Sequence, residues 1–98
     1  MLVHQAEIVN FQPSPRLTLE LEAVLNRVAE KAPLGSSRRV WMRKVAEEFE
    51  AGIEAEGNTW KIESTARGRN EKEVVRRVQR KYFRLFDQFA RKSMPKAA

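Results

Sequence analysis

The sequence of 98 residues contains no cysteine and only one histidine, His4. The lack of cysteine excludes disulfide bonds, a thiol nucleophile and sulfur-based zinc sites, and a single histidine excludes a His-pair metal site. Nucleophilic catalysis needs a base held by a partner, yet the only aspartate, Asp87, lies within a basic segment. We therefore predict no enzyme activity, no cofactor and no bound metal.

Long apolar runs are absent as well. No stretch approaches the roughly 20 apolar residues that cross a bilayer, and the first eleven residues lack the basic flank and cleavage site of a signal peptide. We expect a soluble cytoplasmic protein without a membrane span. A hydrophobic content of 42% suffices for one small core, which predicts a single domain over residues 1–93 and a frayed tail over 94–98.

Positive charge is plentiful but confined to one part of the chain. The formal net charge is +6, and residues 66–98 hold eleven basic and three acidic side chains, whereas the first 65 residues together are slightly acidic. A uniformly solubilised surface would spread this charge along the chain. The asymmetry therefore favours an anionic partner that meets the last third of the sequence.

Apolar spacing predicts a mainly α fold of three helices, over 17–32, 37–56 and 70–92. In the first, Leu17–Glu22 also alternates with period two as a strand does, but the alternation ends at Ala23. The short connection over 33–37, with Ser36 or Ser37 as the N-cap of the second helix, is similar in architecture to a helix-turn-helix module. Residues 6–11 and 59–63 are rich in β-formers and could pair as a short two-stranded ribbon.

The third predicted helix separates its apolar and basic side chains. On a helical wheel, Val75, Val78, Tyr82 and Phe86 fall on one arc, and six cations occupy the opposite arc. A disordered tail has no reason to sort its residues in this way, so the basic run is predicted to be a folded surface. Its bias towards arginine suits phosphate, which a guanidinium group can bind through two hydrogen bonds.

These patterns predict a small DNA-binding or regulatory protein, with DNA favoured over RNA as the nucleic acid. The Arg67-Gly68-Arg69 segment would act as an arm, and the start of the second helix could receive a phosphate. The predicted nucleic-acid-binding residues are Arg67, Arg69, Arg76, Arg77, Arg80, Lys81, Arg84, Arg38 and Arg39.

The sequence also allows other interpretations of the basic helix. It could dock on an acidic protein partner, as an adaptor or inhibitor does, or lie on anionic lipid. The glutamates of the second helix could pair with the third helix, or within their own helix as Arg43 with Glu47 and Lys44 with Glu48. Trp41 and Trp60 are predicted to be core anchors, Trp60 being the better candidate for base stacking.

Assembly is the last expectation. The apolar arc of the third helix, widened by Phe83, exceeds what one neighbouring helix covers, which predicts a symmetric homodimer. The alternative is that Phe83 closes the monomer core beside Phe49.

Overall fold

The computed structural model describes residues 4–32 and 35–92. These residues form two helices and four strands. In chain order, the elements are β1 (His4–Val9), α1 (Pro15–Lys31), β2 (Ser37–Val45), β3 (Glu48–Glu56), β4 (Lys61–Gly68) and α2 (Glu71–Lys92).

The four strands form one mixed sheet in the order β1-β2-β3-β4. β1 pairs with β2 in parallel, from His4 opposite Arg38 to Val9 opposite Arg43. The remaining neighbours are antiparallel hairpin pairs. Because a parallel pair needs a crossover connection, α1 lies between β1 and β2 in the chain and packs back onto both strands.

Both helices pack on the same face of this sheet. Alternate residues of the central strands point towards them, among them Val40 and Met42 of β2 and Ala51 and Ile53 of β3, all fully buried. α1 adds the apolar stripe that begins at Leu17, and α2 adds Val74, Val75, Val78, Tyr82 and Phe86. The other face of the sheet carries no helix, and we call it the open face.

The predicted helix over 37–56 is wrong, because this segment is the β2–β3 hairpin. The inward residues of this hairpin alternate with period two, but two of them, Ala51 and Ala55, have small side chains. Charged residues separate the inward positions, so the helical spacing of the larger side chains is the stronger pattern in the sequence. The turn between Val45 and Glu48 contains no glycine, asparagine or proline. Nothing in the sequence therefore marks the point where the chain reverses.

The predicted fold class and the predicted strand pairing are also wrong. The protein has an α/β fold with a four-stranded mixed sheet, so the mainly α, helix-turn-helix-like architecture is wrong. Residues 6–11 do not pair with 59–63, since β1 pairs with β2 and β4 pairs with β3. The β3–β4 connection contains Gly57, whose N–H donates to the carbonyl of Trp60 at 2.9 Å.

The first and third predicted helices do form. The Ser14 side chain caps α1 by accepting from the Leu17 N–H at 3.1 Å, and Pro15 takes the first helical position. Asn70 caps α2, its amide oxygen accepting from the N–H groups of Lys72 and Glu73 at 2.9 and 3.2 Å. Both helices were predictable because caps and apolar stripes are local features of the sequence.

Two expectations fall wholly or partly outside the described residues: the frayed tail over 94–98 and the short connection over 33–37. Neither of the two described helices has the length and apolar content that crossing a membrane requires.

Candidate functional site

The outward face of α2 meets α1 along a groove of about 560 Å³. Arg76 and Arg80 of α2 line one side, and Arg27 and Lys31 of α1 line the other. Phe83 lies in the groove, with the Lys31 ammonium 5.0 Å from the centre of its ring. We call these four cations, together with Phe83, the basic groove.

Contacts between the helices hold the basic groove in shape. The Arg27 guanidinium donates a hydrogen bond to the Gln79 side chain, which ties the middle of α1 to α2. Phe83 packs edge to face on the buried Tyr82, with ring centres 5.3 Å apart. Within the described chain, Arg76 and Arg80 form no hydrogen bond or ion pair, so both guanidinium groups are available to an external anion.

A second recess, of about 440 Å³, continues from the basic groove towards the N-terminus of α2. Arg76 and Arg80 line this recess too, and Lys72 and Asn70 extend it. Glu73 is the acidic group there, and its carboxylate pairs with Arg77. The cationic surface therefore runs along the first three turns of α2.

Two of the predicted cations on α2 hold the edge of the sheet instead. Arg77 donates to the carbonyl of Arg67 at 3.1 Å, and Lys81 donates to the carbonyl of Thr65 at 3.2 Å. β4 is an edge strand, and an edge strand leaves backbone groups unpaired. Arg77 and Lys81 donate hydrogen bonds to carbonyls of this edge strand, so both side chains stabilise the packing of α2 on β4.

The predicted arm is not an arm. Arg67 lies in β4 on the open face, where its guanidinium donates to Glu50 at 3.1 Å. Arg43 contacts the same carboxylate at 2.6 Å. Arg69 lies in the short connection between β4 and α2 and is exposed, as is Arg84 further along α2.

Glu50 forms ion pairs with two arginines on the open face. Burial raises the pKa of the Glu50 carboxyl, but the hydrogen bonds and charges of Arg43 and Arg67 outweigh burial and hold that pKa below its ordinary value. The intrahelical pairs predicted for Arg43 and Lys44 are absent, since Arg43 pairs with Glu50 and the Lys44 ammonium lies over Phe49.

The two predicted cations of β2 point to opposite faces of the sheet. Arg39 lies on the open face and donates to the Glu7 carboxylate at 2.9 Å, with Glu54 at 3.9 Å. Arg38 lies on the helix-packed face at the start of β2 and is half-buried. The nine predicted residues thus do not form one surface, and the structure brings only Arg76 and Arg80 into the basic groove.

Sequence reasoning missed Arg27 and Lys31. They are one turn apart on α1, beside its apolar stripe, but their segment is nearly neutral overall and gave no sign of a basic surface. Only the packing of α1 against α2 places them opposite Arg76 and Arg80. Among residues 4–32 and 35–92, no three histidine or acidic side chains come together as metal ligands.

No protein family model matches the chain, and no curated protein matches its sequence. Solved structures do match its fold. A ribosomal subunit interface protein from Coxiella burnetii has a TM-score of 0.67 at 17% identity, over 92% of this chain and 99% of that one. The N-terminal domain of Protein Y from Thermus thermophilus has a TM-score of 0.65 at 15% identity, over 93% and 98%.

These similarities show that the chain shares the fold of these two structures, an α/β fold with a mixed sheet. They correct the prediction of a DNA-binding regulatory protein, because that prediction was made for a basic, mainly α domain, whereas the chain has the α/β fold of a ribosomal subunit interface protein. DNA as the favoured partner is corrected for the same reason.

Proposed function

We propose that this protein binds the ribosome and contacts ribosomal RNA at the interface between subunits through the basic groove. The similar fold of a ribosomal subunit interface protein, matched over nearly the full length of both chains, supports the ribosome as partner. Such a protein acts in the cytoplasm by binding, with no catalytic step.

The observation that carries this proposal is the convergence of four cations from two helices on one groove. Arg76 and Arg80 have no partner within the described chain, and Glu30 is the acidic side chain in the lining. A dense array of phosphates neutralises such a surface and relieves the repulsion between its like charges. Guanidinium groups also match phosphate oxygens in geometry.

The other predicted cations contribute to RNA binding to different degrees in this proposal. Arg69 and Arg84 are exposed near the two ends of the cationic surface and extend the contact with phosphates. Arg67, Arg77 and Lys81 already have intramolecular partners, so they contribute less. Arg39 is held by glutamates on the open face, away from the basic groove, and Arg38 lies at the far end of the sheet.

Co-sedimentation with purified ribosomes and separated subunits tests the proposal. We expect the protein to sediment with ribosomal particles at about 50 mM salt and to dissociate as salt rises. Four phosphate contacts give a slope of log affinity against log salt of about −3. Absence from every ribosomal fraction at low salt contradicts the proposal.

A matched pair of variants separates the basic groove from net charge. Arg76→Glu combined with Arg80→Glu lowers the net charge from +6 to +2, as does Arg16→Glu combined with Lys61→Glu at sites outside the groove. We expect the groove variant to lose at least ~10-fold in ribosome affinity, since two phosphate contacts become repulsive. The control variant should bind within about threefold of wild type, and equal losses in both variants contradict a role for the groove.

A further inference from the structure

The open face of the sheet carries a tryptophan that no helix covers. Trp41 of β2 lies opposite Gly52 of β3 in the sheet register. Its indole lies so close to the Gly52 backbone that a Cβ atom at position 52 would overlap the ring. Glycine at this position therefore lets the indole lie flat across the neighbouring strand. Trp41 was predicted to be a core anchor, but it is half-buried and lies on the face opposite the core.

A shallow cleft of about 280 Å³ adjoins this indole. It is lined by Trp41, Arg43, Arg39, Glu54 and Val9, the last of which is 38% exposed. The Arg43 guanidinium lies over the Trp41 ring, 5.5 Å from its centre, so a flat ligand stacked on the indole takes the place of this group. The polar side chains of the cleft can donate and accept hydrogen bonds at the edge of such a ligand. Recognition of flat heterocycles uses this combination of stacking and polar contacts.

Glu54 has capacity to accept hydrogen bonds from a ligand. Its carboxylate is 30% exposed and lies 3.9 Å from Arg39, beyond hydrogen-bond distance. Arg39 makes its two hydrogen bonds with Glu7 instead. The described part of the chain gives Glu54 no closer partner, so both of its oxygens can accept.

The charges of the open face differ from those of the basic groove. Three of its arginines lie in two networks with three glutamates, Arg39 between Glu7 and Glu54, and Glu50 between Arg43 and Arg67. The sheet register places Lys61 and three further glutamates, Glu48, Glu56 and Glu63, on the same face, so this face is slightly acidic and does not attract phosphate by net charge. A nucleotide that binds here is therefore recognised by its base. Guanine presents adjacent N–H donors, N1–H and N2–H₂, which suit the two oxygens of a carboxylate.

We infer that this cleft binds an unpaired guanine of RNA, stacked on Trp41 with its N–H edge on Glu54. The inference rests on the proposed function, since it assigns to the same RNA partner a second contact on the opposite side of the sheet. The basic groove binds phosphates of any sequence, whereas the cleft selects an exposed base. Stacking on an aromatic side chain of a sheet is a general way to hold single-stranded RNA.

Fluorescence of Trp41 tests the inference directly. The chain has two tryptophans, so Trp60→Phe leaves Trp41 as the sole indole, and the ring contact with Phe89 can persist. This variant is titrated with short unstructured RNAs of uracil that carry one central guanine, adenine or cytosine. We expect quenching of Trp41 with a preference of ~10-fold for the guanine oligonucleotide, as the loss of paired hydrogen bonds predicts.

Glu54→Gln in the same background should abolish the guanine preference while quenching remains. Glu48→Gln, which removes the same charge from β3 near the hairpin turn and outside the cleft, should keep the preference. Circular dichroism verifies that both variants fold. No quenching, equal quenching by all oligonucleotides, or an unchanged preference in Glu54→Gln overturns the inference.

The two proposals fail separately. Normal co-sedimentation with ribosomes, together with a Trp41 that does not respond to guanine, overturns the cleft and leaves the basic groove. Loss of co-sedimentation with a guanine-selective response of Trp41 overturns the ribosomal function and supports the cleft.

Discussion

Tyr82 is the residue at which burial and polarity conflict most. It is fully buried in α2, and its hydroxyl has no hydrogen-bond partner among the described residues. Burial raises the pKa of Tyr82 to about 12. An unfolded tyrosine titrates near 10, so the neutral phenol contributes stability below pH 10 that is lost as the pH rises towards 12.

Tyr82→Phe should therefore leave the free energy of unfolding at pH 7 within about 1 kcal/mol of wild type, since no hydrogen bond is lost. Between pH 10 and 12 the variant should lose about 2–3 kcal/mol less than wild type, because it has no phenol to ionise on unfolding. Urea denaturation at pH 7, 10 and 12 measures both effects. A loss of more than about 2 kcal/mol at pH 7 would show that the hydroxyl has a partner.

Ala46 carries backbone strain in the β2–β3 turn, where its φ is +57°. A side chain with a Cβ atom is disfavoured there by roughly 1–2 kcal/mol, whereas glycine is not. We expect Ala46→Gly to raise the free energy of unfolding by about 1 kcal/mol, after the greater flexibility of glycine in the unfolded chain is subtracted. Thermal and urea denaturation measure the gain.

Ala51→Gly is the control for that variant, because Ala51 is buried in β3 and has no positive φ. It should destabilise the protein. If both substitutions destabilise, the turn is not strained at Ala46.

At the scale of the element, α2 serves two purposes whose requirements conflict. Its inward side needs a stable helix on the sheet, while its outward side places Arg80 one turn from both Arg76 and Arg84. Each such pair of like charges costs roughly 0.2–0.5 kcal/mol. The helix therefore gives up some stability in favour of a surface that suits an anion.

Arg80→Gln removes both repulsive pairs. We expect the free energy of unfolding at low salt to rise by about 0.4–1 kcal/mol and ribosome affinity to fall. The gain in stability should disappear near 1 M salt, where the screening length is about 3 Å. Urea denaturation at both salt concentrations measures this difference.

Arg77→Gln is the matched variant on the same helix. Arg77 donates to the carbonyl of Arg67 and pairs with Glu73, so its loss should lower stability instead. A gain in stability from both substitutions would mean that net charge alone matters.

At the scale of the whole molecule, the sheet changes the argument for a dimer. The apolar arc of α2 packs on β3 and β4 and meets α1, so most of it is covered within one chain. Phe83 is half-buried against Tyr82 and below Lys31, and Phe49 packs on Phe11 instead. The homodimer stays a prediction from the sequence, now without an uncovered arc as its basis.

Light scattering across micromolar concentrations tests this assembly, with Phe83→Glu as the variant. A dimer through this surface gives about twice the mass of 11.4 kDa and becomes monomeric on substitution. A mass near 11.4 kDa at all concentrations contradicts the dimer. A dimer that survives Phe83→Glu uses another surface.

The two helices and the basic character of α2 follow from local features of the amino-acid sequence. Caps such as Ser14 and Asn70, and apolar stripes such as that from Val74 to Phe86, act within a few residues of the chain. Local patterns of this kind can be read without knowledge of any partner. The absence of cysteine was equally direct.

The sheet and both candidate sites depend on contacts between segments that are distant in the chain. Strand pairing joins segments that are distant in the chain. β1 pairs with β2 although α1 separates them in sequence, and the residues of β1 do not indicate which strand they pair with. The same packing places Arg27 opposite Arg80 and lays Trp41 across Gly52. These contacts depend on which strands pair and which helix faces pack together. Burial of the whole core determines that arrangement, and the spacing of residues along the chain does not reveal it.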